Sequence, residues 1–544
     1  MSRDRIIRIE SEAGGLLEIR PQADADTALS KILAAHGSPL NTRCGERGLC
    51  RGCEVRLGEG ELTVDNRTVR APATVRACRA RPGGPVTISI PTRSRIEHRP
   101  QIGETFEIAV PCAHDPLFSP DGTRDTGFAV DIGTTTVVVM LVDLASGEIL
   151  SRAGGFNAQI RFGDNVLTRI DAARNPEAVA AMQTAVVVET LAPLLAQACE
   201  RAGRGPNRIA GGTVAGNTTM LHLLAGVDPA PLGVAPFTAR FLSEQALAAA
   251  DLGLALDGLP AETPVRLLPS IAAYIGADLT AGAMATGMIY DDAPSLLVDI
   301  GTNGEIILQR GGEFTACATA AGPAFEGAGL ACGTRAREGA VSGISLSSGS
   351  LETRVTTIGE VPVPRASGIC GSAYIDFLAT ARAVGLLGHA GRFEADAWSR
   401  VPESRRLVDE DGARALRLGK NHPLFISEVD VALLLQAKAA IGAGIETLLE
   451  IAGIRAGEIS RVYLAGGFGM HLNVPHAIAC GLLPGFQPRQ IRVVGNTSLA
   501  GALLALLDQG TLGEMESLRE RTDVVELNLI ADFEDHYVEH LMLP

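Results

Sequence analysis

The sequence contains the same strand–turn–strand pattern twice, and this repeat is the strongest constraint on its fold. VDIGTTTVVVMLVDLASGEIL (130–150) and VDIGTNGEIILQRGGEF (298–314) each pass from an apolar strand through Asp, Gly and Thr into a second strand. Asp131 and Asp299 are 168 residues apart, which is about the length of one domain. Stretches with helical periodicity follow each copy, at 177–200 and 431–450. Strand hairpins followed by helices, occurring twice, predict two related α/β lobes that face a cleft.

Each Gly-Thr turn offers the groups that bind a phosphate. Its backbone N–H groups and hydroxyls can reach phosphate oxygens without steric obstruction. The aspartate before each turn can hold a hydrated Mg²⁺ ion that neutralises the phosphates. A third segment, VYLAGGFGMHL (462–472), runs from a strand into glycines where a flat adenosine could lie against bare backbone. The sequence has no G-x4-G-K-[ST] P-loop and no kinase H-R-D signature, so it predicts a nucleotide site of a different type.

The first 92 residues are predicted to form a separate small domain. RIIRIESEAGGLLEIRP (5–21) consists of two alternating runs joined by two glycines, which is typical of a β-hairpin. DTALSKILAAHG (26–37) predicts a helix with Asp26 as its N-cap and Gly37 as its stop. The runs EVRLGEGELTV and VTISIP supply further strands. Hairpin, helix, cysteine loop and closing strands follow the order of an α+β β-grasp fold.

Four cysteines in this domain have the spacing of a metal site. Cys44, Cys50 and Cys53 lie on one short glycine-rich loop and Cys78 follows later, giving C-x5-C-x2-C-x24-C. A four-cysteine zinc site is one alternative, but zinc ribbons usually pair two C-x2-C knuckles. A 2Fe–2S centre accepts three ligands from one loop and a fourth from a distant segment. The pattern therefore favours 2Fe–2S over zinc and over a metal-free loop. With its x5 spacing, the domain resembles the adrenodoxin-like ferredoxins.

Length and composition narrow the remaining choices. A chain of 544 residues is too long for one core, so several domains are expected. No apolar run reaches 18 residues without a charge, and the N-terminus lacks the apolar segment of a secretion signal. We therefore expect a cytoplasmic protein without a membrane partner. The other cysteines are too few for a disulfide framework and are predicted to be buried structural thiols. These are Cys112, Cys199, Cys317, Cys332, Cys370 and Cys480.

The charge of the chain is unevenly distributed. The formal net charge of −15 argues against a general nucleic-acid binder. Residues 43–81, however, hold nine arginines and five acids. Arg76, Arg79 and Arg81 flank Cys78. This surface is either an ordinary solvated face or a means of docking an acidic partner or tuning the metal centre.

The two Asp-Gly-Thr turns and the later A-G-G-F-G segment resemble the superfamily of acetate and sugar kinases, heat-shock chaperones and actin. The resemblance implies a two-lobed α/β actin-like ATPase with ribonuclease H-like duplicated lobes, which encloses ATP. It assigns Asp131 and Asp299 to Mg²⁺ through water, and makes Glu305 and Glu326 candidates for positioning the attacking water. For each glutamate, a surface or helix-capping role is an equal alternative. The implied ATP contacts are Gly133, Thr134, Thr135, Thr136, Gly301, Thr302, Asn303, Gly304, Gly466, Gly467, Phe468 and Gly469.

Further segments extend the likeness over nearly the whole chain. AGNTTMLHLLAG, GPAFEGAGLACG, SGICGSAYID and QAKAAIGAGI resemble the reductive activators of corrinoid-dependent methyltransferases and corrinoid iron–sulfur proteins. Those activators join a 2Fe–2S domain to this ATPase fold. The resemblance implies that ATP drives one electron from the 2Fe–2S cluster to cob(II)amide, which regenerates cob(I)amide for methyl transfer. It also implies a corrinoid protein as partner and an upstream low-potential electron donor. A homodimer is one expected assembly.

The expected organisation is a ferredoxin-like domain at 1–92, a linker at 93–125, and ATPase lobes at 126–290 and 291–544. Three other functions remain as alternatives. The first is a sugar kinase with an appended ferredoxin, and the second is an activator of the 2-hydroxyacyl-CoA dehydratase type. The third is a redox sensor, or another ATP-gated electron-transfer protein, that uses ATP only as a conformational latch.

Overall fold

A computed structural model describes most of the chain. The described residues are 6–10, 16–21, 26–40, 46, 53–91, 94, 106, 108, 114–301, 303–409, 412–420, 422–467 and 472–544. They form two compact units, the first from 1–99 with 159–172 and the second from 100–158 with 173–544. Several residues predicted to be functional lie outside the described residues, namely Cys44, Cys50, Thr302, Phe468 and Gly469.

The described residues of the first unit form two sheets and two α-helices. Its strands are β1 (Ile7–Glu10), β2 (Leu16–Ile19), β3 (Glu54–Glu59), β4 (Glu61–Val64), β5 (Arg67–Arg70), β6 (Ala73–Arg76), β7 (Ala80–Pro82) and β8 (Val86–Ser89). Its helices are α1 (Leu29–Ala35) and α2 (Val166–Ala172). The main sheet has the order β2-β1-β8-β3-β6, with β1 antiparallel to β2 and parallel to β8. A smaller sheet has the order β5-β4-β7. The predicted β1–β2 hairpin is thereby confirmed.

Helix α1 buries the apolar face that its spacing predicts. Leu29, Ile32 and Leu33 are all buried in the core of this unit. The predicted N-cap is wrong, because the helix is preceded by Ala28 and no side chain caps it. Asp26 instead lies in a turn, where its backbone carbonyl accepts a hydrogen bond from Arg81 Nε at 2.9 Å.

The second unit is built on two six-stranded sheets. The first sheet comprises β9 (Thr126–Ile132), β10 (Thr136–Asp143), β11 (Ile149–Phe156), β12 (Ile209–Gly216), β13 (Gln245–Ala248) and β14 (Pro264–Leu267). The second comprises β15 (Ser295–Ile300), β16 (Gly304–Arg310), β17 (Glu313–Thr319), β24 (Arg461–Ala465), β25 (Ile491–Gly495) and β26 (Thr522–Val524). Two three-stranded sheets are inserted between β17 and β24, namely β18 (Ala340–Leu346), β19 (Thr353–Thr357), β20 (Gly368–Ile369), β21 (Arg406–Val408), β22 (Arg414–Arg417) and β23 (Phe425–Ser427).

Twelve helices of the described chain pack around these sheets. Five belong to the first half of the unit: α3 (Pro176–Val186), α4 (Ala192–Ala202), α5 (Thr218–Leu224), α6 (Ala249–Leu252) and α7 (Ala277–Thr286). The others are α8 (Gly371–Ala383), α9 (Ala395–Arg400), α10 (Glu428–Ile451), α11 (Val474–Ala479), α12 (Thr497–Leu507), α13 (Gly510–Arg521) and α14 (Phe533–His540).

The predicted duplication is confirmed by the strand order of the two large sheets. In the first, the antiparallel strands β11, β10 and β9 are followed by the parallel strands β12 and β14. In the second, β17, β16 and β15 are followed by β24 and β25 in the same arrangement. Asp131 and Asp299 therefore occupy equivalent places near the end of the first strand of each copy.

The predicted helices at 177–200 and 431–450 are present. A π-helical turn at Val187–Leu191 joins α3 to α4, immediately before Pro193. Proline has no N–H to donate to the preceding turn, so a wider local turn is the expected adjustment. By length and composition alone, Pro176–Ala202 and Glu428–Ile451 could cross a membrane. Glu428–Ile451 is largely buried within the unit, so core packing accounts for its apolar character.

Helix α12 crosses α7 at very close range because of one glycine. A Cβ atom added at Gly501 of α12 would lie 2.3 Å from the carbonyl oxygen of Ala281 of α7. Thr213 Oγ1 of β12 also donates a hydrogen bond to the carbonyl of Ala502 at 2.7 Å. The chain's C-terminal region thus packs onto the first sheet as well as the second.

We expect Gly501→Ala to destabilise the second unit by about 1–3 kcal/mol, because the added methyl group overpacks the α7–α12 contact. Gly513→Ala in α13 is the matched control. A Cβ there meets nothing within 4 Å, so the lower chain entropy of alanine should stabilise the unit by about 0.5–1 kcal/mol. Urea unfolding followed by the fluorescence of Trp398, the single tryptophan, measures both. Equal effects of the two variants would contradict the close contact.

Candidate functional site

A cleft of about 230 Å³ lies between the two large sheets of the second unit. It is lined by most of the predicted phosphate and adenosine residues, namely Asp131, Gly133, Thr134, Thr135, Thr136, Asp299, Gly301, Asn303, Glu305, Glu326, Gly466 and Gly467. Gly304 does not line it. A Cβ at Gly304 would lie 2.0 Å from Ile441 Cδ1, so this glycine serves the packing of α10 on β16.

The first turn is held in place by two asparagines. Gly133 N donates to Thr136 O at 2.9 Å and closes the turn. Asn157 Nδ2 donates to the carbonyl of Gly133 at 3.0 Å. Asn217 Nδ2 donates to Thr134 Oγ1 at 3.0 Å, while its Oδ1 caps α5. Sequence reasoning did not find either asparagine, although an Asn before T-T-M-L is a recognisable helix N-cap.

The second and third turns meet at Asp299. Gly301 N donates to Asn303 O at 3.0 Å within the second turn. Gly466 has a φ of +91°, and a Cβ there would lie 2.7 Å from Asp299 Oδ1 and 2.5 Å from the carbonyl oxygen of Ile300. Only glycine allows this approach, since any side chain would collide with the aspartate or the strand.

Four carboxyl groups lie together in the cleft, with Glu305 buried and Asp131, Asp278 and Asp299 partly buried. Asp299 and Glu305 lie directly opposite each other across the β15–β16 hairpin. Asp131 reaches the cleft from the first sheet, and Asp278 from the start of α7. Asp278 was missed by sequence reasoning because no motif surrounds it.

Burial raises the pKa of all four groups, and repulsion by neighbouring carboxylates raises it further for three of them. Burial raises the pKa of Asp131, although its carboxylate accepts hydrogen bonds from Ser498 Oγ at 2.7 Å and Asn496 Nδ2 at 2.9 Å. Burial and then the charge of Asp131 raise the pKa of Asp278 to about 7. Burial and then the charges of Asp278 and Asp131 raise that of Asp299 to about 7.

The cluster has the properties of a cation site that works through water. Burial, followed by the charges of Asp278 and Asp299, raises the pKa of Glu305 well above its ordinary value. Such crowding is relieved when a divalent cation enters. Among the described residues, no three Asp, Glu, His or Cys side chains are placed to bind one metal ion directly. Carboxylates that hold the water shell of Mg²⁺ fit both observations.

Three helices also begin at the cleft. Residues near the N-termini of α7, α8 and α12 line it, namely Asp278, Cys370, Gly371, Ser372, Asn496, Thr497 and Ser498. Unpaired N–H groups and the positive end of the helix dipole favour an anion at such a position. The buried Thr497 hydroxyl has no hydrogen-bond partner in the structure. The cleft thus combines an acidic floor for a cation with several donors for an anion.

Half of the predicted cysteine site is described, in the first unit. Cys53 and Cys78 are both buried. A hydrogen bond from Cys78, helped by backbone N–H groups of Cys78, Cys53 and Ala77 and opposed by burial, lowers the pKa of Cys53 to about 6. A thiolate that accepts backbone N–H groups fits a metal ligand. Cys44 and Cys50 lie outside the described residues.

The other described cysteines differ from this pair. Cys199, Cys317, Cys370 and Cys480 are buried, which confirms that prediction for them, and Cys332 is partly exposed. Burial raises the pKa of Cys199 and of Cys480 to about 11, so both remain protonated. Cys112 lies outside the described residues.

The arginines near Cys78 are partly neutralised by acids. Arg79 pairs with Asp65 at 3.2 Å and Arg70 with Glu61 at 3.4 Å. Both pairs are well exposed to solvent, where an ion pair contributes about 0–1 kcal/mol. These pairs therefore add little to the stability of the first unit.

Comparison with known proteins gives matches over nearly the whole chain. Residues 293–544 match the model described as the C-terminal domain of RACo, the ASKHA domain, and residues 126–291 match the RACo middle region. The corrinoid activation enzyme RamQ of Eubacterium limosum is 30% identical over 97% of this chain and 98% of its own length. The [Co(II) methylated amine-specific corrinoid protein] reductase of Methanosarcina barkeri is 25% identical over 73% of this chain and 72% of its own.

A solved structure gives the same result. The reductive activator for corrinoid,iron-sulfur protein superposes with a TM-score of 0.72 at 30% identity, covering 99% of this chain and 98% of its own. The actin-like ATPase fold implied by the superfamily resemblance is confirmed for the C-terminal part by the ASKHA match. The expected family resemblance is confirmed as well.

The carboxyl cluster predicts an unusual pH dependence of stability. The pKa of Asp278 is raised in the folded state to about 7, so its contribution is favourable below about pH 4 and is lost as the pH rises through 7. Asp278→Asn should therefore stabilise the nucleotide-free protein at pH 8 by about 2–4 kcal/mol, since one pKa unit is about 1.4 kcal/mol. At pH 4.5 the variant should differ little from wild type. Thermal unfolding at the two pH values measures this, and an equal shift at both would contradict the carboxyl cluster.

Proposed function

Because this chain belongs to the RACo family, we propose that it is a reductive activator that uses ATP to return a corrinoid protein to its reduced state. The observation that carries the proposal is the presence in one chain of the buried Cys53–Cys78 pair, in which the pKa of Cys53 is lowered, and of the acid-lined nucleotide cleft. The first can hold an electron carrier and the second can bind and hydrolyse ATP. The named relatives act on corrinoid proteins, which supports a corrinoid protein as the partner here.

The N-terminal unit is proposed to be a ferredoxin of the β-grasp type. The order β2-β1-β8-β3-β6, with α1 packed in the same core, supports that fold for 1–92. Cys44, Cys50, Cys53 and Cys78 would be the cluster ligands. A bound 2Fe–2S cluster would supply a one-electron carrier, which zinc cannot. The N–H groups around Cys53 would hold its sulfur in place and stabilise its negative charge.

The second unit is proposed to bind MgATP. The turns at 133–136 and 301–303 would donate backbone and hydroxyl groups to the phosphates, with Thr302 lying outside the described residues. Asp131 and Asp299, joined by Asp278, would orient the water shell of Mg²⁺. Adenosine would lie against 466–469. Glu305 and Glu326 are the candidates for orienting the attacking water.

ATP is needed because the electron transfer is energetically uphill. Plant-type 2Fe–2S centres have potentials near about −400 mV. Moving one electron to a potential 100 mV lower costs roughly 2.3 kcal/mol. Cob(II)amide in the partner accepts one electron and becomes cob(I)amide, while ATP and water become ADP and phosphate. Closing and opening of the two lobes would change the complex so that this transfer becomes favourable.

The proposal extends to the surroundings of the protein. We expect a cytoplasmic protein with an upstream low-potential donor, without nucleic-acid or membrane partners, and with a homodimer as one assembly. The division into 1–92, 93–125, 126–290 and 291–544 is proposed as its organisation. The arginines around Cys78 would face an acidic surface of the corrinoid protein, which electrostatic attraction would orient.

Three alternatives make different demands. A sugar kinase would phosphorylate a sugar without needing the cysteines. A dehydratase-type activator would not need the N-terminal unit. A redox sensor would hydrolyse ATP at a rate that no corrinoid protein changes. The cysteine pair in the same chain as the cleft favours the corrinoid activator.

Two variants should separate the electron path from the ATP path. Cys78→Ser should abolish ATP-driven reduction of a cob(II)amide protein while ATP binding remains, because it removes a cluster ligand. Asp299→Asn should keep the cluster's absorption spectrum but lower the ATP-dependent rate by about 10²–10³-fold, because Mg²⁺ would be misplaced. The measurement is the loss of cob(II)amide absorbance with reductant and MgATP.

Cys199→Ala is the matched control, since Cys199 is a buried thiol in α4 of the second unit. It should leave both activities intact. Reduction that proceeds equally well without ATP would contradict the proposal. So would reduction that survives Cys78→Ser.

A further inference from the structure

The nucleotide cleft contains one cationic side chain among many acids. Asp131, Asp278, Asp299, Glu305 and Glu326 all line it, whereas Arg335 is the one Lys, Arg or His among its described lining residues. A bound triphosphate would add further negative charge. Mg²⁺ and backbone N–H groups would offset part of that charge, and Arg335 is the side chain that can offset more.

Arg335 is held by contacts from both sides of the cleft. Its Nη2 lies 3.3 Å from Glu326 Oε2, and its guanidinium stacks 5.2 Å from the centre of the Phe156 ring. Phe156 ends β11 and pairs with Thr136, the last residue of the first phosphate turn. Glu326 also accepts a hydrogen bond from Thr135 Oγ1 of that turn at 3.5 Å. Arg335 therefore contacts Glu326, and Glu326 in turn contacts the first phosphate turn.

A close backbone contact at the base of a loop brings Glu326 and Arg335 together. Gly327 has a φ of +77°, and a Cβ there would lie 2.6 Å from the backbone nitrogen of Thr334. On the facing side, a Cβ at Gly333 would lie 2.0 Å from the carbonyl oxygen of Gly327. The two ends of the loop between these glycines are therefore in contact, so Glu326 and Arg335 must lie close together.

We propose that Arg335 binds the terminal phosphate of ATP, exchanging its ion pair with Glu326 for one with that phosphate. The inference rests on the proposed ATP-dependent function. Arginine can bind phosphate through two parallel N–H···O bonds, which makes the exchange favourable. The released Glu326 carboxylate remains beside Thr135, where it can orient a water molecule. The water oxygen then bonds to the terminal phosphorus as the bond to the ADP oxygen breaks, and a proton passes to solvent.

The exchange also distinguishes the two nucleotides. ADP lacks the γ-phosphate, so Arg335 remains paired with Glu326 and stacked on Phe156. With ATP the guanidinium moves toward the phosphates and loosens its contact with Glu326. Hydrolysis reverses the exchange, so the contacts that Arg335 makes across the cleft follow the state of the nucleotide.

The test compares Arg335→Ala with Arg337→Ala in the same loop. Arg337 contacts Thr334 Oγ1 at 3.2 Å and Ser367 O at 3.3 Å and does not line the cleft. With the purified full chain and Mg²⁺, calorimetry gives the affinities for ADP and for a non-hydrolysable ATP analogue. We expect Arg335→Ala to weaken binding of the analogue at least about tenfold with little change for ADP, and to lower kcat about 10²-fold. Arg335→Lys should restore part of the loss, and Arg337→Ala should match wild type.

Glu326→Gln separates binding from mere structural support. It removes the competing carboxylate, so analogue affinity should stay the same or rise while kcat falls. If Arg335 only stabilised the loop, Glu326→Gln and Arg335→Ala would weaken both nucleotides alike, and the inference would be overturned. Equal behaviour of Arg335→Ala and Arg337→Ala would also overturn it. Failure of the wild-type chain to bind or hydrolyse ATP would instead overturn the proposed function.

Discussion

The structure of the second unit depends on the cost of burying like charges together. Asp131, Asp278, Asp299 and Glu305 occupy one cleft. Burial raises the pKa of each, and repulsion by neighbouring carboxylates raises it further for Asp278, Asp299 and Glu305. Such an arrangement is unfavourable without a ligand and persists only where the surrounding fold imposes it. A cation with its phosphates would convert that repulsion into attraction. The packing of the residues around the cleft therefore leaves space for such a ligand.

The surrounding fold imposes the cluster through close backbone contacts. Gly466 brings the third turn against Asp299, and Gly501 lets α12 lie on α7. Helix α12 carries Ser498 and follows Asn496, and these two side chains hold the carboxylate of Asp131. Sheet, helix crossing and cleft are thus parts of one arrangement. A change at the helix crossing would be felt at the carboxylates through these hydrogen bonds.

The two candidate sites of the chain carry different kinds of residue, because an electron carrier and a magnesium nucleotide need different ligands. Thiolates with nearby N–H groups suit an electron carrier, as around Cys53. Carboxylates, hydroxyls and helix N-termini suit a magnesium nucleotide, as in the cleft. The chain carries residues of both kinds. In the proposed function, ATP hydrolysis in the cleft drives electron transfer from the cysteine site.

Local patterns in the sequence determined the repeat, the strand hairpins, the apolar face of α1 and the four-cysteine spacing, because each depends on neighbouring residues. The same patterns located Asp131 and Asp299, which lie near the ends of apolar strands. They predicted the wrong N-cap for α1, since Asp26 lies in a turn where its backbone carbonyl accepts a hydrogen bond from Arg81. Tertiary structure alone decided the rest of the site. Asp278, Asn217 and Asn496 enter from distant segments, and Asn496 meets an aspartate 365 residues away. The local periodicity of the sequence cannot predict such a contact, because the contact forms only after two sheets and two crossing helices have packed.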